Sequence, residues 1–140
     1  MSDHSNKIFP KPSPETRVYW DGCRHHELLI QRCKDCDHFQ FFPRIICSRC
    51  MGQNIEWIKA SGQAQLVSYT IVRRPVSAAY KPEIPYVVAL VQLEEGPTMM
   101  SNIVNCDPDQ VQIGLAVEVI FEDWSDEISI PKFQLKNQII

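Results

Sequence analysis

Two Cys-x-x-Cys pairs, Cys33-Lys34-Asp35-Cys36 and Cys47-Ser48-Arg49-Cys50, stand ten residues apart. No other feature limits the folding of this chain so sharply. Two thiolates at this spacing reach one ion from a tight turn. Two such turns at the ends of a hairpin supply the tetrahedral sulfur set that zinc prefers. The intervening stretch, Asp37 to Ile46, has the length of that hairpin. The pairs lie in polar, turn-like sequence, which argues against four buried apolar thiols. Neither pair opens a helix within a βαβ unit, which argues against a thioredoxin-like redox site. Iron satisfies the same four-thiolate spacing, and zinc is its commoner occupant. Cys33, Cys36, Cys47 and Cys50 are therefore the expected ligands of a structural Zn2+. A closed four-thiolate centre leaves no position for water, so it contributes folding energy rather than catalysis. Arg32, Lys34, Arg44 and Arg49 lie close in sequence and offset part of its formal negative charge.

Hydrophobic patterning sets this motif inside a mostly β chain. Alternating prolines in Ile8-Phe9-Pro10-Lys11-Pro12-Ser13-Pro14 exclude helix and favour an extended arm over residues 1–12. Ser13 reads as an N-cap, Pro14 as the first helical residue and Glu15 as a first-turn acid. That pattern predicts a helix from Pro14 towards Asp21, with Gly22 as its stop or kink. Short alternating runs at Glu27–Arg32, Phe39–Phe42 and Ile55–Lys59 predict ribbon strands, so residues 13–60 hold the helix and the zinc ribbon. After Gly62 strands follow one another: Ala64–Val72, Tyr86–Leu93, Thr98–Val104, Leu115–Glu122 and Phe133–Lys136. A single helical turn is expected at Asp107-Pro108-Asp109-Gln110. Five short strands with a helical turn between the third and fourth suit a closed barrel of the OB type over residues 61–140.

Composition narrows the function. A chain of 140 residues holds a modest core, not a multilayered enzyme pocket. Apolar residues at 44% and charged residues at 22% exclude wholesale disorder. A net charge of −3 argues against a general nucleic-acid or polybasic membrane binder. No apolar run approaches the roughly 20 residues that span a bilayer. Met1 to Lys7 lacks the pattern of a signal peptide, which predicts a cytoplasmic protein. Catalytic templates fail. His26-Glu27-Leu28-Leu29-Ile30 begins like a zinc-protease helix but carries Ile30 where the second His belongs. There is no Walker loop, no G-x-G-x-x-G and no G-x-S-x-G. Cys106 reads as a core thiol, Cys23 as part of a helix face and His38 as exposed. His25 and His26 are minor candidates for metal binding or acid–base work.

Ordered pieces across nearly the whole chain resemble one family. They are Tyr19-Trp20, Leu28 to Cys33, Phe42-Pro43-Arg44, Gly62 and Ser68-Tyr69-Thr70-Ile71-Val72. Then come Pro85 to Val91, Leu93-Glu94-Glu95-Gly96, Ile113-Gly114, Val117-Glu118-Val119 and Ile130-Pro131-Lys132-Phe133. Together they are similar to the zinc-ribbon plus OB-fold accessory proteins of acyl-CoA metabolism. The resemblance departs at the knuckles, where Asp37 follows the first pair and Gly52 stands one place late behind Met51. It implies a small non-catalytic subunit that accompanies a thiolase-like acyltransferase, or in some systems a hydratase or synthase. Such a subunit bridges its partners and helps hold a coenzyme A ester while the partner supplies the nucleophile.

That implication directs attention to two sets of residues. Arg73 and Arg74 lead into the Pro-bounded loop from Pro75 to Pro85, which contains Tyr80 and Lys81. This is the only local positive cluster in the barrel, and Arg pairs well with phosphate. With Arg44 as a further cation, these are the expected acyl-CoA-binding residues. Val18, Tyr19 and Trp20 are the expected partner interface, since buried aromatics often carry binding energy. The competing reading is a nucleic-acid-binding module, because both folds bind nucleic acid elsewhere. Charge opposes it. Between Gly62 and Asp123 three cations stand against eight carboxylates, a balance of −5, whereas single-strand binders need a positive groove with stacking aromatics.

Overall fold

The structure, a computed structural model, describes residues 7–136. The first six residues of the expected arm and the last four of the expected barrel segment lie outside the described residues. One α-helix, α1 (Arg17–Arg24), precedes eight strands. The first three, β1 (Leu29–Cys33), β2 (Phe39–Gln40) and β3 (Ile55–Lys59), form an antiparallel sheet in the order β2-β1-β3. The remaining five are β4 (Gln63–Val72), β5 (Tyr86–Leu93), β6 (Thr98–Val104), β7 (Ala116–Asp123) and β8 (Ser129–Leu135). They close into a barrel in the order β4-β5-β6-β8-β7. Every contact around the barrel is antiparallel except β6 with β8.

Period-two patterning builds the barrel interior. Val87, Ala89, Val91 and Leu93 of β5 alternate inward, facing Met99 and Ile103 of β6, Val117 of β7 and Phe133 of β8. A bulge at Val67 bends β4, so that Gln63–Gln65 reaches β7 while the strand as a whole pairs with β5. The core does not stop at the barrel wall. Tyr19 and Cys23 of α1 and Leu28 and Ile30 near β1 belong to the same buried cluster as Leu66 and Val87. His26 reinforces this join: its Nε2 lies 2.8 Å from Asp123 Oδ1, and its ring stacks on Phe121 at 5.3 Å.

Several boundaries differ from those predicted. The helix starts at Arg17 rather than Pro14. Ser13 does not cap it; the Ser13 amide donates to Thr16 Oγ1 at 2.8 Å, which closes a separate turn before the helix. Gly22 is neither stop nor kink, since the helix runs through it to Arg24. A Cβ at Gly22 would stand 2.8 Å from Leu29 Cδ1, so glycine is there for close helix-to-strand approach. β8 begins at Ser129, ahead of the expected Phe133, because β7 pairs with it along Ser129 to Leu135. The loop between β4 and β5 contains a 3-10 helix, Ala78–Glu83. The expected turn after Asp107 is a 3-10 helix, Pro108–Gln110, whose first amides are met by Asp107 and whose Gln110 side chain returns the bond. Cys106 is half-buried at the edge of the core rather than within it, since its strand has already ended at Val104. His38 is also half-buried, held 3.2 Å from Ser48 Oγ.

Gly62 joins the two sheets at φ 83°, in the left-handed region, and its carbonyl accepts from the Val119 amide at 2.8 Å. A Cβ there would fall 2.7 Å from Val119 Cγ1. Gly62→Ala is therefore expected to cost about 1–3 kcal/mol, from backbone strain plus displacement of a branched neighbour. Urea denaturation should show a lower midpoint at unchanged slope; an unmoved midpoint would refute this account of the joint.

Candidate functional site

The two knuckles are built alike. In the first, the Asp37 amide donates to Cys33 O at 2.9 Å; in the second, the Met51 amide donates to Cys47 O at 3.0 Å. Each knuckle turns through a left-handed residue, Asp37 at φ 62° and Met51 at φ 67°. Asp37 is stabilised there by an ion pair with Arg32, which also reaches Glu56 at 2.7 Å. Met51 has an exposed side chain and no such partner among the described residues.

The four sulfur atoms of Cys33, Cys36, Cys47 and Cys50 all lie within 4.8 Å of one another. Cys33 to Cys50 and Cys36 to Cys47 are each 3.6 Å. Sulfurs bound tetrahedrally at about 2.3 Å stand roughly 3.8 Å apart, so the donor set fits zinc. The amides of Arg49 and Cys50 donate to Cys47 Sγ at 3.3 and 3.4 Å, and the Gly52 amide to Cys50 Sγ at 3.4 Å. The Cys50 amide does most to hold the Cys47 thiol down at about 7, burial opposes it, and the Arg49 amide assists. Cys23 stands apart from this cluster. Burial pushes its thiol up to about 12, and the Tyr19 side chain one helical turn away acts in the opposite direction.

Two buried glutamines shape the loop between the knuckles, and nothing in the sequence reading anticipated them. Gln31 and Gln40 are partners across β1 and β2, 2% and 6% exposed. Gln31 takes both backbone groups of Arg44: its Nε2 donates to Arg44 O and its Oε1 accepts from the Arg44 amide, each at 2.9 Å. Gln40 accepts from the Ser48 amide at 2.9 Å and donates to Gln31 Oε1 at 2.7 Å and to Ile46 O at 3.3 Å. The loop backbone is thus satisfied from inside the ribbon, as buried polar groups require.

The residues expected to bind a ligand are not gathered into one pocket. Arg73, Arg74 and Lys81 are exposed on the β4–β5 loop, and Arg44 is exposed on the ribbon, its guanidinium 5.8 Å from the Phe42 ring. Tyr80 is half-buried, 6.0 Å from the Tyr86 ring. It lines a cleft of about 340 Å³ together with Tyr86, Asn102, Cys106, Glu122 and Lys132, and the other predicted cations do not. Lys132 is 7% exposed and pairs with Glu122 at 3.1 Å. The arm supports this cleft: Lys7 Nζ lies 2.7 Å from Glu83 and about 5 Å from the Tyr80 and Trp124 rings. Of the expected interface residues, Val18 is exposed and Trp20 half-buried. Tyr19 is withdrawn from that set. Its ring is 6% exposed and packs edge-on against Trp20 and Phe41, at 4.9 and 5.6 Å.

Comparison with known proteins matches both halves to family models. Residues 20–56 match the ChsH2 rubredoxin-like zinc ribbon domain, and residues 57–122 match the ChsH2 C-terminal OB-fold domain. A DUF35 domain-containing scaffold protein of Methanothermobacter thermautotrophicus is 38% identical over 105 residues, which cover 74% of this chain and 78% of that protein. The chain belongs to the DUF35 family. A probable enoyl-CoA hydratase alpha subunit of Thermomonospora curvata is 31% identical over 89% of the DUF35 chain, which spans only 39% of that relative's length. Among solved structures, the one described as Ltp2-ChsH2(DUF35) aldolase superposes with a TM-score of 0.81 at 29% identity. The match covers 90% of this chain and 98% of the other. No helix among the described residues is long and apolar enough to cross a membrane.

The second knuckle of this DUF35 chain carries a measurable strain. Met51 holds a left-handed backbone with its side chain 70% exposed, so glycine would lose little packing there. Met51→Gly is expected to raise stability by about 0.5–1 kcal/mol, relief of strain outweighing the added freedom of the unfolded chain. A lower melting temperature would show that the methionine side chain stabilises the folded knuckle.

Proposed function

We propose that this chain is a non-catalytic accessory subunit of an acyl-CoA-processing complex, helping to bind the acyl-CoA and to bridge subunits. Its enzyme partner would be a thiolase-like acyltransferase or a related synthase. One observation carries the reading: the chain spans almost the whole ChsH2(DUF35) component of a structure described as an aldolase, and most of proteins named as scaffolds. The hydratase relatives, of which the chain spans about two fifths, point to the same CoA-ester chemistry. The nucleic-acid alternative gains nothing from the barrel, whose exposed cations are too few to form a positive groove.

Cys33, Cys36, Cys47 and Cys50 would hold zinc, which supplies cross-linking of the two knuckles and no open coordination position. Cys33→Ser should release the metal and lower the melting temperature of the whole chain, since metal binding energy is folding energy and the ribbon shares its core with the barrel. Metal analysis that finds neither zinc nor iron in the wild-type chain would overturn this assignment.

For the ligand, Arg73, Arg74 and Lys81 would meet the phosphates of the CoA ester. Tyr80 borders the adjoining cleft, and Arg44 offers a second cation from the ribbon. Val18 and the exposed part of Trp20 would face the partner. Arg73→Ala with Arg74→Ala should raise the complex's KM for its acyl-CoA about tenfold, the size expected for losing charge-assisted contacts, while the complex stays assembled. An unchanged KM in an intact complex would place the phosphates elsewhere.

A further inference from the structure

The loop between the two knuckles, together with the second knuckle, displays large side chains that stay outside the folded body. Phe42, Ile45 and Met51 are 64%, 71% and 70% exposed. Between Phe42 and Met51 the chain carries Arg44 and Arg49 and no acid, in a protein whose net charge is −3. The loop is nonetheless held firmly. Gln31 and Gln40, both buried, bond the backbone at Arg44, Ile46 and Ser48 from inside. Met51 keeps a large apolar side chain in solvent from a left-handed backbone that favours glycine. Interior polar groups therefore hold this loop in place, and at Met51 an apolar side chain stays outside although the backbone there carries a cost. Phenylalanine, methionine and arginine are the residue types enriched at protein interfaces, where lysine and carboxylates are depleted. A loop fixed before binding also loses less freedom on association.

We propose that Phe42, Ile45 and Met51, flanked by Arg44 and Arg49, are the docking epitope for the enzyme subunit, fitting an apolar depression rimmed by carboxylates. This rests on the accessory-subunit reading, adds a surface to that of Val18 and Trp20, and gives Arg44 to the partner rather than to the ligand. A second copy of this chain fits poorly. A two-fold contact through the same patch would set each arginine pair beside its own counterpart. The barrel offers a competing apolar surface in the exposed cross-strand pair Leu90 and Met100.

The test uses the full-length zinc-loaded chain and, as probe, the acyl-CoA enzyme subunit that co-purifies with it from its host. The variant Phe42→Ser, Ile45→Ser, Met51→Ser should retain its metal and weaken binding to the purified subunit at least a hundredfold. Arg44→Glu with Arg49→Glu should weaken it at least tenfold, with the wild-type association rate falling as salt is raised. Leu90→Ser with Met100→Ser should leave affinity within about threefold of wild type. Full affinity in the triple variant overturns the epitope while leaving the accessory-subunit reading intact, as does a loss confined to the barrel pair. Concentration-dependent dimerisation that the triple variant abolishes, or loop-dependent sedimentation with phosphatidylserine vesicles, overturns the choice of occupant. A wild-type chain that co-purifies with no enzyme subunit sinks both proposals together.

Discussion

Four sulfur atoms from two turns must arrive within bonding distance of one point, and the first half of the chain is arranged around that requirement. The turns meet at one end of a small sheet whose β1–β2 ladder is short: β2 has only two residues. So small a sheet has little apolar surface of its own. The closure of the knuckles therefore sets the register of β1 against β2. That register in turn puts Gln31 opposite Gln40, where the two amides read the loop backbone. Arg32 shows the same dependence from the other side, pairing at once with the left-handed Asp37 and with Glu56 of β3.

How much of this was legible depended on whether a feature is local. The cysteine spacing is local, and it predicted the sulfur cluster. The barrel strands announced themselves by alternation, because one face of each is buried and the other is not. What the sequence hid was set by contacts distant along the chain. Gly22 looks like a helix stop until Leu29 is packed against it. Ser129, Ile130, Pro131 and Lys132 carry no strand signal of their own until β7 pairs along them. Gln31 lies in an apolar run and gives no sign of its role, since its partners at Arg44 and Gln40 are fixed only once the hairpin has folded. Tyr19 was read as available to a partner because a helix face carries no mark of which body it will cover.

Charge is divided between the two sheets in a way that bears on assembly. The barrel is acidic and most of its exposed cations sit on one loop, whereas the stretch from Phe42 to Met51 carries two arginines and no acid. Docking through the ribbon would leave the β4–β5 loop and its neighbouring cleft free to meet a ligand held by the enzyme. His26, stacked on Phe121 and bonded to Asp123, ties the end of the helix to the barrel between these two regions.

The closed barrel has one more consequence. A sheet that returns to its first strand has no strand open along its whole length, so an incoming peptide can pair only where two neighbours part company. Those stretches exist in the barrel, where β4 meets β7 only at Gln63, Ala64 and Gln65 and β6 meets β8 only at Ile103 and Val104, and in the ribbon along the outer sides of β2 and β3. β2 is too short to template much. In the ribbon, the outer side of Ile55–Lys59 is the stretch where another chain could add a strand of its own.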